Sequence, residues 1–226
     1  MPLLLNIDTA TEHASVCLSN ESGVLLLKES QDQKNHGAFL QPAIQQILLE
    51  TGIELQAVDA ISVTEGPGSY TGLRVGLASA KGLCYALQKP LIAINTLKVM
   101  ALAAINQEPY SSNTLFCPMI DARRMEVFTA MYDMHLHQIE APNAKILDST
   151  SFETIISQQP MVFSGSGSIK MQAILSNSNA FFSSVQHTAA HLSILAHQSF
   201  KEANFVDLAY FEPFYLKAFY SPAAKK

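Results

Sequence analysis

The chain has 226 residues, 48% of them hydrophobic and 15% charged, with a formal net charge of -5 and a sequence pI near 5.8. That length buries a sizeable core in one domain or two small lobes, and so little charge leaves apolar surface beyond one core, so a partner surface is expected. The acidic balance excludes the broad basic field with which a protein grips a phosphate backbone on its own. Cys17, Cys84 and Cys117, mutually distant and each in an apolar run, exclude a disulfide framework or a zinc spacing and fit a reducing cytosol.

Residues 1–8 are apolar but have neither a basic leader nor a cleavage site, and no apolar run reaches membrane-spanning length, so a soluble, cytoplasmic chain is expected. Residues 3–7 form an apolar run ending at Asp8, 16–18 a second, and 24–27 a third after the turn Asn20-Glu21-Ser22-Gly23. These are three successive strands joined by tight turns. From 36 to 50, Phe39, Leu40, Ala43, Ile44, Ile47 and Leu48 recur at helical spacing and Gly52 follows as a stop. Pro42 kinks this helix or marks its first turn. Residues 60–64 form a strand that runs into Gly66-Pro67-Gly68-Ser69-Tyr70-Thr71-Gly72, with a helix over 73–87 behind it.

A strand at 91–94 and a helix over 97–105 complete a first lobe, 1–105, and the turn-rich stretch 106–113 opens a smaller second lobe, 106–187. There, runs at 115–120 and 127–132 flank Asp121-Ala122-Arg123-Arg124, and 161–163 leads into Ser164-Gly165-Ser166-Gly167 and a short helix. A last helix at about 188–203 is expected to pack back on the first lobe, ahead of a polar tail over 204–226. Strands in a meander followed by strands alternating with helices argue for α/β lobes with mixed sheets, and the repetition for two related lobes.

The segment 65–72 has the ingredients of an anion cradle, because glycines let backbone amides converge at a helix amino terminus, and Arg74 adds a cation. It lacks the Gly-Lys-Ser/Thr ending of a P-loop, and the alternative is a tight strand-to-helix turn. Asp8-Thr9-Ala10-Thr11 is similar to the phosphate turn of actin-like and sugar-kinase folds, but without its glycine, so side chains crowd any phosphate. Phosphate or nucleotide contact is therefore assigned only weakly, to Asp8, Thr9, Gly66, Gly68 and Ser69.

His187 and His191, four apart, could hold zinc on one helical face. No acid completes a His-Glu-x-x-His pattern, which leaves surface or capping histidines. His135 and His137, in a turn-like region, are a weaker pair. No cysteine has an activating histidine partner. No catalytic residue, metal or cofactor is expected. Arg74 and Lys81, seven apart, mark the less buried face of the 73–87 helix. Gly76, Ser79, Ala80 and Leu83 form an uncharged stripe that meets either the chain's own sheet or a partner helix.

Taken together, Ile7-Asp8-Thr9-Ala10-Thr11, the stretch 63–76 and Ala80-Lys81-Gly82-Leu83 resemble the TsaB family of bacterial proteins. Asp121-Ala122-Arg123 with Glu126-Val127-Phe128, and Pro213-Phe214-Tyr215-Leu216-Lys217, continue the match over nearly the whole chain. The resemblance implies an α/β fold of actin-like ATPase (ASKHA) type in two lobes, each a mixed sheet flanked by helices. It implies a non-catalytic scaffold beside TsaD and TsaE in making threonylcarbamoyladenosine next to the anticodon of certain transfer RNAs. It also implies pairing with TsaD through the first-lobe helices, with Leu40, Ile44, Ile47, Gly76, Ser79, Ala80 and Leu83 at the interface. The free protein would self-pair, and tRNA would be met only through the complex. TsaD carries a His-x-x-x-His metal site after its glycine-loop helix and the next strand, where this chain reads Asn95-Thr96-Leu97-Lys98-Val99-Met100, without histidine. The rival classes are a small-molecule kinase of the same fold, which must bind ATP alone, and a peptidase, whose activated nucleophile or metal set the residues do not supply.

Overall fold

The structure is a computed structural model that describes residues 1–32 and 35–217. Strand β1 (Leu4–Asp8) is buried on both faces, as a central strand must be, with Asn6 and Asp8 as its buried polar groups. β2 (Ala14–Asn20) pairs antiparallel with β1, and β3 (Gly23–Ser30) pairs antiparallel with β2. Helix α1 (His36–Thr51) then crosses to β4 (Ala60–Gly66), parallel to β1, and α2 (Tyr70–Leu87) crosses to β5 (Leu91–Asn95), parallel to β4. Gly52, left-handed at φ 65°, closes α1 where the sequence places its stop, and Pro42 lies inside the helix on its exposed side. One face of this sheet packs Leu5, Ile7, Val16 and Val63 against Leu40, Ile44 and Ile47 of α1 and Leu77 and Ala80 of α2.

After α3 (Thr96–Ile105) the same pattern starts again. β6 (Leu115–Asp121), β7 (Glu126–Tyr132) and β8 (Gln138–Ile146) form an antiparallel meander. The short α4 (Glu153–Ile156) leads to β9 (Met161–Ser164), parallel to β6, and α5 (Ser168–Ile174) to β10 (Ala180–Ser183), parallel to β9. The strand orders β3-β2-β1-β4-β5 and β8-β7-β6-β9-β10 are therefore the same five-stranded mixed sheet built twice.

The two halves interlock through helices. α6 (Ala189–Lys201) follows the second sheet but lays Leu192, Leu195 and Ala196 on Leu4, Ala60 and Ile92 of the first. α3 follows the first sheet and packs Leu97, Met100, Ala101 and Ala104 on Phe116, Ile120, Tyr132 and Val162 of the second. With α3 and α6 between the sheets, the loops after β1, β4, β6 and β9 gather around one cleft, where ligands of α/β folds bind.

Beyond α6 the chain returns as a strap. Val206 bridges to Leu91, and the Phe214 amide donates to Glu65 O at 2.8 Å. Lys81 Nζ donates to Phe211 O at 2.9 Å and Ala209 O at 3.4 Å, while Arg74 Nε donates to the Tyr215 hydroxyl at 3.2 Å. Tyr215 packs on Tyr70 with ring centroids 5.0 Å apart, and Lys217 reaches Glu126 of the second half at 2.6 Å. The face marked by Arg74 and Lys81 is thus the outward face of α2, but the strap occupies both cations. The expected tail is structured as far as Lys217; residues 218–226 lie outside the described residues. No helix among the described residues is long and apolar enough to cross a membrane.

Candidate functional site

The cleft consists of two adjoining cavities that meet at Thr11 and Glu12. One, of about 450 Å³, lies between Gly68–Thr71 of the first half and Ile120–Arg123 of the second. The other, of about 420 Å³, runs from Gly165–Ser168 to Ser183–His187.

The first-half wall is knitted to itself. Asp8 Oδ1 accepts from Thr64 Oγ1 at 2.9 Å and from the Ala10 amide at 3.2 Å. Thr9 Oγ1 donates to Gly72 O at 2.7 Å, and the Ser69 amide donates to Ala10 O at 2.7 Å. A Cβ added at Gly68 would collide with Ala10 O, one at Gly72 with Thr9 O, and one at Gly76 with Thr9 Oγ1. These glycines let α2 press its first two turns against the 8–10 turn, a backbone approach that any side chain would block. The residues of the expected cradle are engaged with one another, and Gly68 and Ser69 also line the cavity. Gly68 and Ser69 serve a helix-to-strand contact, Thr9 points into α2, and Gly66, left-handed at φ 121°, seats the carbonyl of Phe214.

His187 is 5% exposed, and its Nε2 stands 3.3 Å from Oδ2 of the fully buried Asp8. Burial lowers the pKa of His187, against the pull of Asp8. His191 instead closes the amino end of α6, its Nδ1 accepting from the Thr188 amide at 3.1 Å, and burial lowers its pKa too. The capping reading therefore holds for His191, and the surface reading fails for His187. His137 sits on an exposed turn 2.8 Å from Asp133. Among the described residues no group of three or more His, Cys, Asp or Glu is arranged to hold a metal ion. Burial pushes the thiols of Cys17, Cys84 and Cys117 up to about 12.

The second-half wall repeats the first in a different chemistry. Asp121, at the end of β6 as Asp8 is at the end of β1, accepts from the Arg123 amide at 2.6 Å and from Lys170 Nζ at 2.7 Å. Partial burial pushes its pKa up, but these donors outweigh it and hold the carboxyl low. The sequence reading weighed His187 only as a zinc, surface or capping residue beside His191 and this turn only as part of the family resemblance, and it paired neither with the cleft. The signal was the Asp-x-x motif recurring at the end of each lobe's first strand.

The interface residues need the plainest correction. Leu40, Ile47 and Ala80 are 0% exposed, Ile44 is 3% exposed, and Gly76 is buried against Thr9 and Val63. The small-residue stripe faces the chain's own sheet, because only a face without bulk lets α2 approach β1 and β4. Ser79 and Leu83 are half-buried at its border, and Arg74, Ala78, Gly82 and Tyr85 form the exposed side.

The family model described as TsaD, tRNA N6-adenosine threonylcarbamoyltransferase, matches residues 28–220. The chain is 36% identical over 129 residues to the Escherichia coli tRNA threonylcarbamoyladenosine biosynthesis protein TsaB, covering 57% of this chain and 54% of that protein. It is 33% identical over 122 residues to the tRNA N6-adenosine threonylcarbamoyltransferase of Anaplasma phagocytophilum, covering 47% and 36%. The chain thus spans about half the length of the curated TsaB relatives it matches. The solved structure of YeaZ from Pseudomonas aeruginosa superposes with a TM-score of 0.79 at 26% identity, covering 96% of this chain and all of that one.

Proposed function

We infer the function from one premise: the chain belongs to the TsaD family of tRNA N6-adenosine threonylcarbamoyltransferases and, within it, to the TsaB proteins. The chain acts in threonylcarbamoyladenosine modification of transfer RNA as a non-catalytic subunit that scaffolds TsaD, with TsaE joining in a ternary complex. The observation that carries this reading is the self-closure of the first-half wall. Catalysis on a nucleotide in this fold needs backbone room at the first turn and the glycine loop, and here those groups bond to one another. A lobe whose glycines hold its own helix in place is built to keep a shape for a partner.

In this reading the first lobe is residues 1–105 with α6 returned to it, the second is 106–187, and TsaD docks on the outer side of the first-lobe helices. That side of α2 presents Ala78, Gly82 and Tyr85, small residues beside a 75%-exposed ring, and α1 adds Leu49 at 82% exposure. The same face pairs two copies when TsaD is absent, so the two partners compete. Ala78→Glu or Gly82→Glu should weaken co-purification with TsaD from the same source while leaving the melting temperature within a few degrees, since a surface charge is costly only when a partner covers it. Undiminished binding by a folded Ala78→Glu/Gly82→Glu protein would move the interface elsewhere.

A further inference from the structure

The strap ties the two halves together at the cleft. Val206 bridges to Leu91 at the edge of the first sheet, and Leu208 and Phe211 pack on that half's core. Lys81 holds the carbonyls of Ala209 and Phe211. The Phe214 amide then donates to Glu65 O, and the Phe214 carbonyl rests on Gly66, where a side chain would collide with it. All of these contacts belong to the first half. The last step leaves it: Lys217 Nζ donates to both carboxylate oxygens of Glu126, at 2.6 Å each.

That clasp sits beside the cavity of about 450 Å³. Tyr70 lines the cavity from the first half; Tyr215 packs on its ring, and Arg74 lies 3.9 Å over the ring centre. Glu126 opens β7 just after the facing wall, Ile120–Arg123, and its carbonyl accepts from the Ala122 amide at 3.0 Å and from Lys170 Nζ at 2.9 Å. Tyr215 and Lys217 therefore join the two walls. Between the sheets the halves meet through α6 and through α3, which turns Val99 and Leu102 to the first sheet and Leu97 and Met100 to the second. A packed joint and a polar clasp respond to different conditions. Burial holds the joint, whereas the Lys217 side chain is 52% exposed, so water and salt reach its ion pair.

We propose that residues 206–217 are an ionic latch: the strap, anchored along α2, holds the cleft narrow through Lys217 and Glu126, and release of that pair lets the halves swing apart about α3 and α6. Other ion pairs cannot serve this purpose. Lys28–Glu50 and Lys89–Asp59 stay within the first half, and Lys145–Glu140 and Lys170–Asp121 within the second. Asp8 and His187 meet beside the cleft, but both are buried, where salt screens them little. Opening widens the space between Gly68–Thr71 and Ile120–Arg123 and leaves the outer sides of α1 and α2 as they are. The latch is a property of the chain alone and stands apart from the functional reading above.

The test is double electron–electron resonance between spin labels at Gln45→Cys in α1 and Ala173→Cys in α5, both exposed positions in a chain whose own cysteines are buried. With the latch intact the distance distribution should be narrow at about 0.05 M salt and gain a longer component at about 1 M. Lys217→Ala or Glu126→Gln should raise that component about threefold at low salt and remove its salt dependence. The melting temperature should stay within a few degrees, because the other strap contacts remain. Both substitutions together should do no more than one alone, and Lys217→Arg should keep the narrow distribution. An unchanged distribution in the two folded variants, or shifts that add in the double variant, overturns the latch. So does an intact chain whose distribution is blind to salt.

Discussion

At the scale of single residues, two glycines of α2 separate packing from propensity. Gly76 sits where a Cβ would meet Thr9 Oγ1, whereas Gly82 has nothing within 4 Å. Gly76→Ala should destabilise by about 1–3 kcal/mol through overpacking, and Gly82→Ala should stabilise by about 0.5–1 kcal/mol through the lower entropy of the unfolded chain. Urea melts of the two variants should therefore move in opposite directions; equal shifts would mean that α2 is rotated. His187 carries a pH dependence. Its folded pKa lies below the ordinary 6.5, so above that pH both states are neutral and nothing is lost. As pH falls through 6.5 the unfolded chain takes up a proton that the buried imidazole resists, and stability declines. His191 and His197 have the same sign. The share of His187 is the difference between the wild type and His187→Gln, which should lose less stability between about pH 7.5 and about pH 5.5.

At the scale of elements, the strap is the feature that sequence patterning could not supply. The tail was expected to be polar, but the strap is rich in aromatic and apolar residues without a helical or strand period, and Lys81 holds two of its carbonyls while Glu65 O holds its Phe214 amide. Lys81→Ala should cost about 1 kcal/mol and speed amide exchange at Phe214. Unchanged exchange would mean that the strap is held by its aromatic residues alone. The strands of the first sheet were legible because they are apolar runs bounded by turns. β8 was not, since Gln138–Ile146 is a polar edge strand with Pro142 inside it, tolerated there because one edge needs no partner. β10 is four residues long and equally quiet. For α2 the span and its outward charges were readable, but small residues lie all round the helix, so the sequence could not say which uncharged side meets the sheet. The Asp8 turn was readable as a motif. Its pairing with His187 was not, because it joins residues 179 positions apart that only the return of α6 brings together.

At the scale of the whole molecule, a sheet built twice and interlocked by exchanged helices gives a cleft between two walls. One wall has closed on itself and the other presents Arg123 beside the ion pair of Asp121 and Lys170. In the proposed reading this chain is a subunit whose first lobe serves partner binding. The most direct test is an omission experiment on the reconstituted modification: this chain, TsaD and TsaE from the same source, ATP, substrate tRNA and the threonylcarbamoyl donor, with threonylcarbamoyladenosine measured by mass spectrometry of digested tRNA. The account predicts product from the full set, none from this chain alone, and loss of product when this chain is left out. Product from this chain without TsaD, or full yield without this chain, would contradict it.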